Sequence, residues 1–194
     1  MEEKNKIDKV IGEILDIEWT MFSSVKASEK NTCQEDEKTF RLMRWMSYSV
    51  FDETLLQSIL LNLKTAKEFG RNLMTEKYAR MEEKISPLST NPLIQKIASV
   101  EVNCMKEVAE KYPTTFGSNK EGFGKYTKCE LETYSDLTLQ LYYNALLEYE
   151  KDGINIVEER YNNLFRKLGY DSVADKESQE KAKVFWQNNT CRGC

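Results

Sequence analysis

The sequence predicts an all-α protein of two tandem four-helix repeats with pseudo-twofold symmetry, plus a C-terminal helix. Apolar residues recur three and four positions apart through most of the chain. Residues match one another at a constant, ungapped shift of 83 positions, as from Ile11 to Ile94. Pro and Gly cluster where the periodic segments break.

The matched identities pair Ile14 with Ile97, Glu18 with Glu101, Val25 with Val108, Phe40 with Phe123, Leu56 with Leu139 and Gln57 with Gln140. They continue through Leu63 and Leu146, Gly70 and Gly153, Asn72 and Asn155, Glu76 and Glu159, and Tyr78 and Tyr161. Ile17 with Val100, Phe51 with Tyr134 and Met81 with Leu164 are conservative matches in the same register. A duplication explains this series better than chance does, and two copies of one unit are expected to meet as an isologous pair would.

In the first repeat, Ile7, Val10, Ile11, Ile14, Leu15, Phe22 and Val25 lie at helical spacing and predict a long helix over 5–27. A second helix is expected over 36–47, around Phe40, Met43 and Met46. Asp52 is suited to cap a third that carries Leu56, Ile59, Leu60 and Leu63, and Gly70 supplies its left-handed stop. Asn72 caps a fourth with Leu73, Met74, Tyr78 and Met81. The segment 86–92 reads as linker, with Pro92 at the first turn of the next helix. The second repeat predicts helices over 92–111, 124–132, 136–151 and 155–168, with Ser135 where Asp52 stood. The loop 112–123, with Pro113, Gly117 and Gly122, is a candidate lid. The expected organisation is a single helical domain over 1–188: repeat one at 5–84, linker at 85–91, repeat two at 92–168 and terminal helix at 171–187. Residues 189–194 are expected to form a flexible tail.

Composition narrows the classes of function. The net charge of −4 arises from 28 basic and 32 acidic residues spread along the chain, so no basic field is offered to nucleic acid or anionic lipid. No apolar run reaches the length of a membrane span, and the first residues lack a signal-peptide profile, so a cytoplasmic location is expected. The odd set of five cysteines at uneven spacing reads as thiols in a reducing compartment. With no histidine present, Ser-His-Asp and Cys-His catalysis and His-containing metal sites are excluded.

Glu18 is the sharpest local anomaly, because it falls seven residues after Ile11 on the apolar stripe, and Glu101 repeats it. A carboxylate in such surroundings fits a structural ion pair, a helix-edge group that reaches water, or a site. Arg44, one turn after Phe40, is the candidate partner of Glu18. The second repeat has Thr127 in the matched place, with Lys125 and Lys128 nearby, so the halves are expected to have diverged. Asn72 and Glu76 share a face of the fourth helix, as do Asn155 and Glu159, a pattern that fits capping and a solvated face or a shared cleft. In that cleft Glu18, Glu76, Glu101 and Glu159 could bind an oxygen-liking cation, although their spacing demands no metal and none is assigned. Cys33 precedes the second helix, where a thiol can ionise more readily, but Glu35, Asp36 and Glu37 oppose a thiolate. Cys191 and Cys194 offer only two soft ligands. Trp19, Trp45, Tyr142, Tyr143 and Tyr149 fit a core or interface better than a stacking platform.

The strings Thr32 to Arg44, Gly70 to Met81 and Glu130 to Ser135, with Ile17-Glu18-Trp19-Thr20-Met21-Phe22, resemble the signature segments of a bacterial and archaeal family, domain of unknown function 4125. The resemblance covers about residues 5–170 and implies no activity. It directs attention to the polar members of those strings: Glu18, Cys33, Gln34, Asp36, Arg44, Asn72, Glu76 and Tyr78. The functional expectation is a small-molecule or peptide site in repeat one, with Glu18 and Cys33 as candidate catalytic groups. Arg44 would clamp an anion or neutralise Glu18, and Gln34, Asp36, Asn72, Glu76 and Tyr78 would orient the ligand. The alternative is a helical protein-protein interaction module without catalysis, and no particular cofactor is implied by either.

Overall fold

The computed structural model describes residues 2–25, 36–117 and 122–190, with side chains over 5–25, 36–117 and 122–183. The described residues are all-helical, with ten helices and no strand. They are α1 (Glu2–Ser23), α2 (Glu37–Tyr48), α3 (Glu53–Glu68), α4 (Leu73–Met81), α5 (Pro92–Lys111), α6 (Pro113–Phe116), α7 (Phe123–Leu131), α8 (Asp136–Lys151), α9 (Ile156–Lys167) and α10 (Val173–Thr190).

Local chemistry fixes the boundaries. Asp36 caps α2 by accepting the Thr39 amide at 3.0 Å, Asp52 caps α3 through the Leu55 amide at 2.8 Å, and Ser135 caps α8 through the Thr138 amide at 3.3 Å. Asn72 and Asn155 cap α4 and α9. Gly70 and Gly153 both take φ of +67°, and each lets the next amide reach back into the last turn: Arg71 to the Ala66 carbonyl at 2.8 Å, Ile154 to that of Tyr149 at 2.9 Å. The loop expected as a lid contains α6, while residues 118–121 lie outside the described residues.

α1 packs on α2, α3 and α4, as α5 packs on α7, α8 and α9. Between these groups α3 lies against α8, α2 against α9 and α4 against α7, and α10 covers α6 and α9. One buried cluster draws on both groups, with Ile11, Ile14 and Leu56 alongside Ile94, Ile97 and Leu139. Burial of such side chains contributes about 1.5–3 kcal/mol each relative to exposure. Glu132, from the turn after α7, ties down the linker by accepting the Leu88 amide at 3.2 Å and the Arg80 guanidinium at 2.6 Å.

Candidate functional site

The apolar stripe of α1 carries Glu18 into the interior, where the residue is 2% exposed. α2 brings Arg44 to it. The guanidinium donates from Nε to Glu18 Oε2 at 2.8 Å and from Nη2 to Oε1 at 2.5 Å, and the Tyr48 hydroxyl donates to the same Oε1 at 2.6 Å. Nη2 of Arg44 also contacts the Tyr48 hydroxyl oxygen. A second carboxylate, Glu130 of α7, accepts from Nη1 and Nη2 of Arg44, both at 3.0 Å. Lys77 of α4, 1% exposed, donates to Glu130 at 3.1 Å and to the Tyr126 hydroxyl at 2.9 Å. The result is a network of two carboxylates, two cations and three phenols, with Tyr134 donating to Glu130 at 3.2 Å.

A smaller cluster surrounds Glu101 of α5, which is 1% exposed. Arg160 of α9 donates to its two oxygens at 2.6 and 2.8 Å, and the Tyr142 hydroxyl of α8 donates to Oε1 at 2.7 Å. The cation for Glu101 is therefore Arg160. Neither lysine weighed from the sequence serves, since Lys125 pairs with the surface carboxylate of Glu83 at 2.7 Å and Lys128 is exposed. Arg160 is 8% exposed, its side chain stacks on Phe51 with Cζ 5.4 Å from the ring centroid, and its buried Nε–H has no acceptor among the described residues.

Burial opposes the charge of Arg44, Lys77 and Arg160, but neighbouring carboxylates hold all three above their ordinary values: Glu130 and Glu18 for Arg44, Glu130 for Lys77, Glu101 for Arg160. Burial likewise opposes ionisation of Glu130, yet Arg44 and Lys77 hold its carboxyl far below the usual carboxylate range. Burial pushes the phenols of Tyr48, Tyr134 and Tyr142 well up. Near neutral pH Lys77 is thus an ammonium with no lone pair to offer as a nucleophile, and these phenols are hydrogen-bond donors. The arrangement holds and orients.

Between the two clusters lies a cavity of about 80 Å³, partly open to solvent and walled by Arg44, Ser47, Tyr48, Phe51, Glu101, Tyr126, Glu130, Tyr134, Tyr142 and Arg160. The space directly beside Glu18 is only about 20 Å³, room for one water. Glu18 does not reach the larger cavity, whereas Glu101 and Arg160 do.

Of the residues singled out from the sequence, the fold brings together Glu18 and Arg44. Asp36 is spent on capping α2. Asn72 caps α4 and donates to the Met21 carbonyl at 2.9 Å. Glu76 pairs with Arg71 at 2.6 Å near the surface, and the Tyr78 ring lies 5.9 Å from that of Phe22. Cys33 and Gln34 lie outside the described residues, as do Cys191 and Cys194. Glu159 pairs with Arg166 at 3.1 Å, so the four-carboxylate cation site is not assembled, and no such cluster occurs among the described residues. Cys104 and Cys129 are free thiols whose pKa burial raises. The sequence reading passed over Tyr48, Lys77, Tyr126, Glu130, Tyr142 as a polar group, and Arg160. Lys77 and Arg160 carry the same signal as Glu18, a charge within the apolar stripes of α4 and α9, and they match at the shift of 83 positions.

No helix among the described residues is long and apolar enough to cross a membrane. No curated protein and no solved structure matches the chain. A family model does match, over residues 8–178, and the chain therefore belongs to the family described as protein of unknown function (DUF4125).

Proposed function

We propose that this chain binds a small molecule in the cavity between the Glu18 and Glu101 clusters. The observation that carries this reading is the cavity itself, a partly open space large enough for several waters or one small functional group and walled by the charged and phenolic side chains of Arg44, Tyr126, Glu130, Tyr134 and Arg160. Glu18 acts here by holding Arg44 in place, and Asp36, Asn72, Glu76 and Tyr78 serve the scaffold.

The same reading takes the protein as a single domain made by internal duplication. The contacts of α2 with α9 and of α4 with α7 support it, since they are the reciprocal exchange expected across a pseudo-twofold axis. The matched helices α3 and α8 meet at that axis, where Ser58 and Asn62 each lie 2.6 Å from Thr138. The modest negative charge, spread along the chain, favours a protein that does not bind nucleic acid.

Protein freshly purified from cells, denatured and extracted for mass spectrometry, is expected to release a stoichiometric small molecule. The Ser47→Phe variant, whose ring fills the cavity from α2, should release none while melting within about 2 °C of wild type, a shift of under 1 kcal/mol in a domain this size. Equal release from both variants would place the ligand elsewhere. A second reading, a helical interaction module, draws on the exposed Leu61, Phe69 and Leu137, and a wild-type chain that releases nothing but assembles with a protein partner would favour it.

A further inference from the structure

Independently of the central cavity, we infer that a second groove, walled by α5, α8 and the turn into α9, docks a small organic cation, a protonated amine carried on an apolar chain. The groove has a volume of about 350 Å³, over four times that of the central cavity and within the range of small-molecule sites. Buried Leu146 and Ile156 line it, with Ile154 47% exposed beside them. Tyr149 donates its hydroxyl to the Val50 carbonyl at 2.9 Å, so it serves the groove as an aromatic wall. Glu107 and Glu150 border the same space. Both are exposed, so a ligand can meet them directly, and neither is ion-paired with a described residue: Lys111 pairs with Glu158 at 2.9 Å and Lys151 with Glu148 at 3.6 Å. No lysine or arginine lines the groove among the described residues. The first amides of α9 donate to the Asn155 side chain, Val157 and Glu158 both at 3.0 Å, and so are not open to an anion.

The matched turn after α3 separates what the fold requires from what is particular to the groove. Asn72 donates to the Met21 carbonyl at 2.9 Å and to Ser24 Oγ at 3.0 Å, just as Asn155 donates to the Cys104 carbonyl at 3.0 Å and to Glu107 at 2.9 Å. The frame is common to both turns. The lining is not, because Glu107, Tyr149, Glu150 and Ile154 stand where the shift of 83 positions places Ser24, Ala66, Lys67 and Arg71. Two basic residues give way to an acid and an apolar side chain, a hydroxyl gives way to a second acid, and a methyl gives way to an aromatic ring. The groove thereby combines apolar surface, an aromatic wall and two carboxylates. An amphipathic amine complements all three: its chain is removed from water, and its charge is attracted by the acids and by the face of an aromatic ring. A carboxylate on the same chain would be repelled.

Hexylammonium, hexanol and hexanoate share one chain and differ in charge, and the test titrates each into the ¹⁵N-labelled full chain while following the side-chain amide of Asn155, which is bonded to Glu107. Hexylammonium is expected to shift that resonance saturably and to bind at least about fivefold more tightly than hexanol, with hexanoate weakest. Its advantage should shrink in about 1 M salt, because both carboxylates are exposed. Bound hexylammonium should also slow alkylation of Cys104, which lines the groove, as read by peptide mass mapping. Glu107→Ser with Glu150→Lys installs the residues of the matched turn and should abolish the preference for the amine while melting like wild type. Ser47→Phe, which fills the central cavity, should leave hexylammonium binding unchanged, and loss of binding in that variant would place the amine there and overturn the inference. Equal affinity for hexanol, or a preference that survives the double substitution, overturns the role of the carboxylates and with it the cation. Tighter binding of acetyl-lysine methylamide assigns the groove to a lysine of a partner protein and overturns the free amine. No saturable shift with any of these overturns the site.

Discussion

Glu18 and Glu101 sit at matched places in α1 and α5, and each is neutralised from a different neighbouring helix. Glu18 takes its guanidinium from α2, through Arg44, whereas the residue matched to Arg44 in α7 is Thr127, whose hydroxyl donates to the Phe123 carbonyl at 2.9 Å. Glu101 takes its guanidinium from α9, through Arg160, whose match in α4 is Lys77. Lys77 is committed to Glu130. The buried carboxylates of α1 and α5 thus each take a cation, but from different helices, and the choice settles what else the cluster can do. In the first case the cation also serves a second carboxylate and every nitrogen is bonded; in the second an isolated triad leaves one buried nitrogen unpaired among the described residues.

The largest expected effect separates network from triad. Arg160→Met strands Glu101 with Tyr142 alone and should cost about 3 kcal/mol in urea unfolding at neutral pH. Arg44→Met strands Glu18 and also takes one of two cations from Glu130, so its cost should be greater, about 4 kcal/mol or more. Adding Glu101→Gln to Arg160→Met should recover most of the loss, while adding Glu18→Gln to Arg44→Met should recover less, because Glu130 keeps its deficit. Equal costs and equal rescue would show two independent pairs and no network.

The helical periodicity and the caps were readable in the sequence because both are local. Pro92, Asp52 and Ser135 set boundaries within a turn or so of themselves, and the α5 and α8 spans agree with the expected 92–111 and 136–151. The pairing of Glu18 with Arg44 could be read as well, since each residue stands on the inward stripe of its own helix. The cavity could not. Its wall combines side chains from α2, α5, α7, α8 and α9, and which cation turns toward which carboxylate depends on how α2 meets α9 and how α4 meets α7. Asn72, Glu76 and Asp36 attracted attention through a long motif, yet their bonds are those of caps and surface pairs.

Another buried carboxylate offers a smaller effect and a contrast in acid. Glu177 of α10 accepts the Thr114 amide at 3.1 Å, the Thr115 amide at 2.7 Å and the Thr115 hydroxyl at 2.7 Å, thereby clamping the first turn of α6. Burial opposes its ionisation, but these donors, with Lys181, pull its carboxyl from about 4.5 down to about 2. A carboxyl depressed on folding stabilises fully above its unfolded value and loses that contribution as pH falls through the folded one. Glu177→Gln is therefore expected to cost about 2 kcal/mol at pH 7, with the difference from wild type shrinking as pH falls from about 4.5 toward 2. Glu130 is held far below the usual range by charges instead of amides, so the clamp on α6 should let go before the network does. A variant whose deficit stays constant from pH 7 to pH 2.5 would show that the loss is one of packing.

The smallest expected effect lies at the two surface pairs, Glu76 with Arg71 and Glu159 with Arg166, whose glutamates occupy matched places as Glu18 and Glu101 do while their arginines do not. Water screens both, and the entropy of holding two long side chains offsets most of the attraction, so Glu76→Gln and Glu159→Gln should each change stability by no more than about 0.5 kcal/mol. Neither residue reaches the cavity, so neither substitution should alter what the purified protein releases on denaturation. That second measurement gives the prediction its force. If Glu76→Gln melts like wild type but releases no small molecule, the ligand sits on the outer face of α4 beside Asn72 and Tyr78, and the central cavity loses its claim. If both measurements are unchanged, a residue's recurrence at the shift of 83 positions marks a requirement of the fold, and function must be sought where the matched residues differ, at Arg44 against Thr127 and at Lys77 against Arg160.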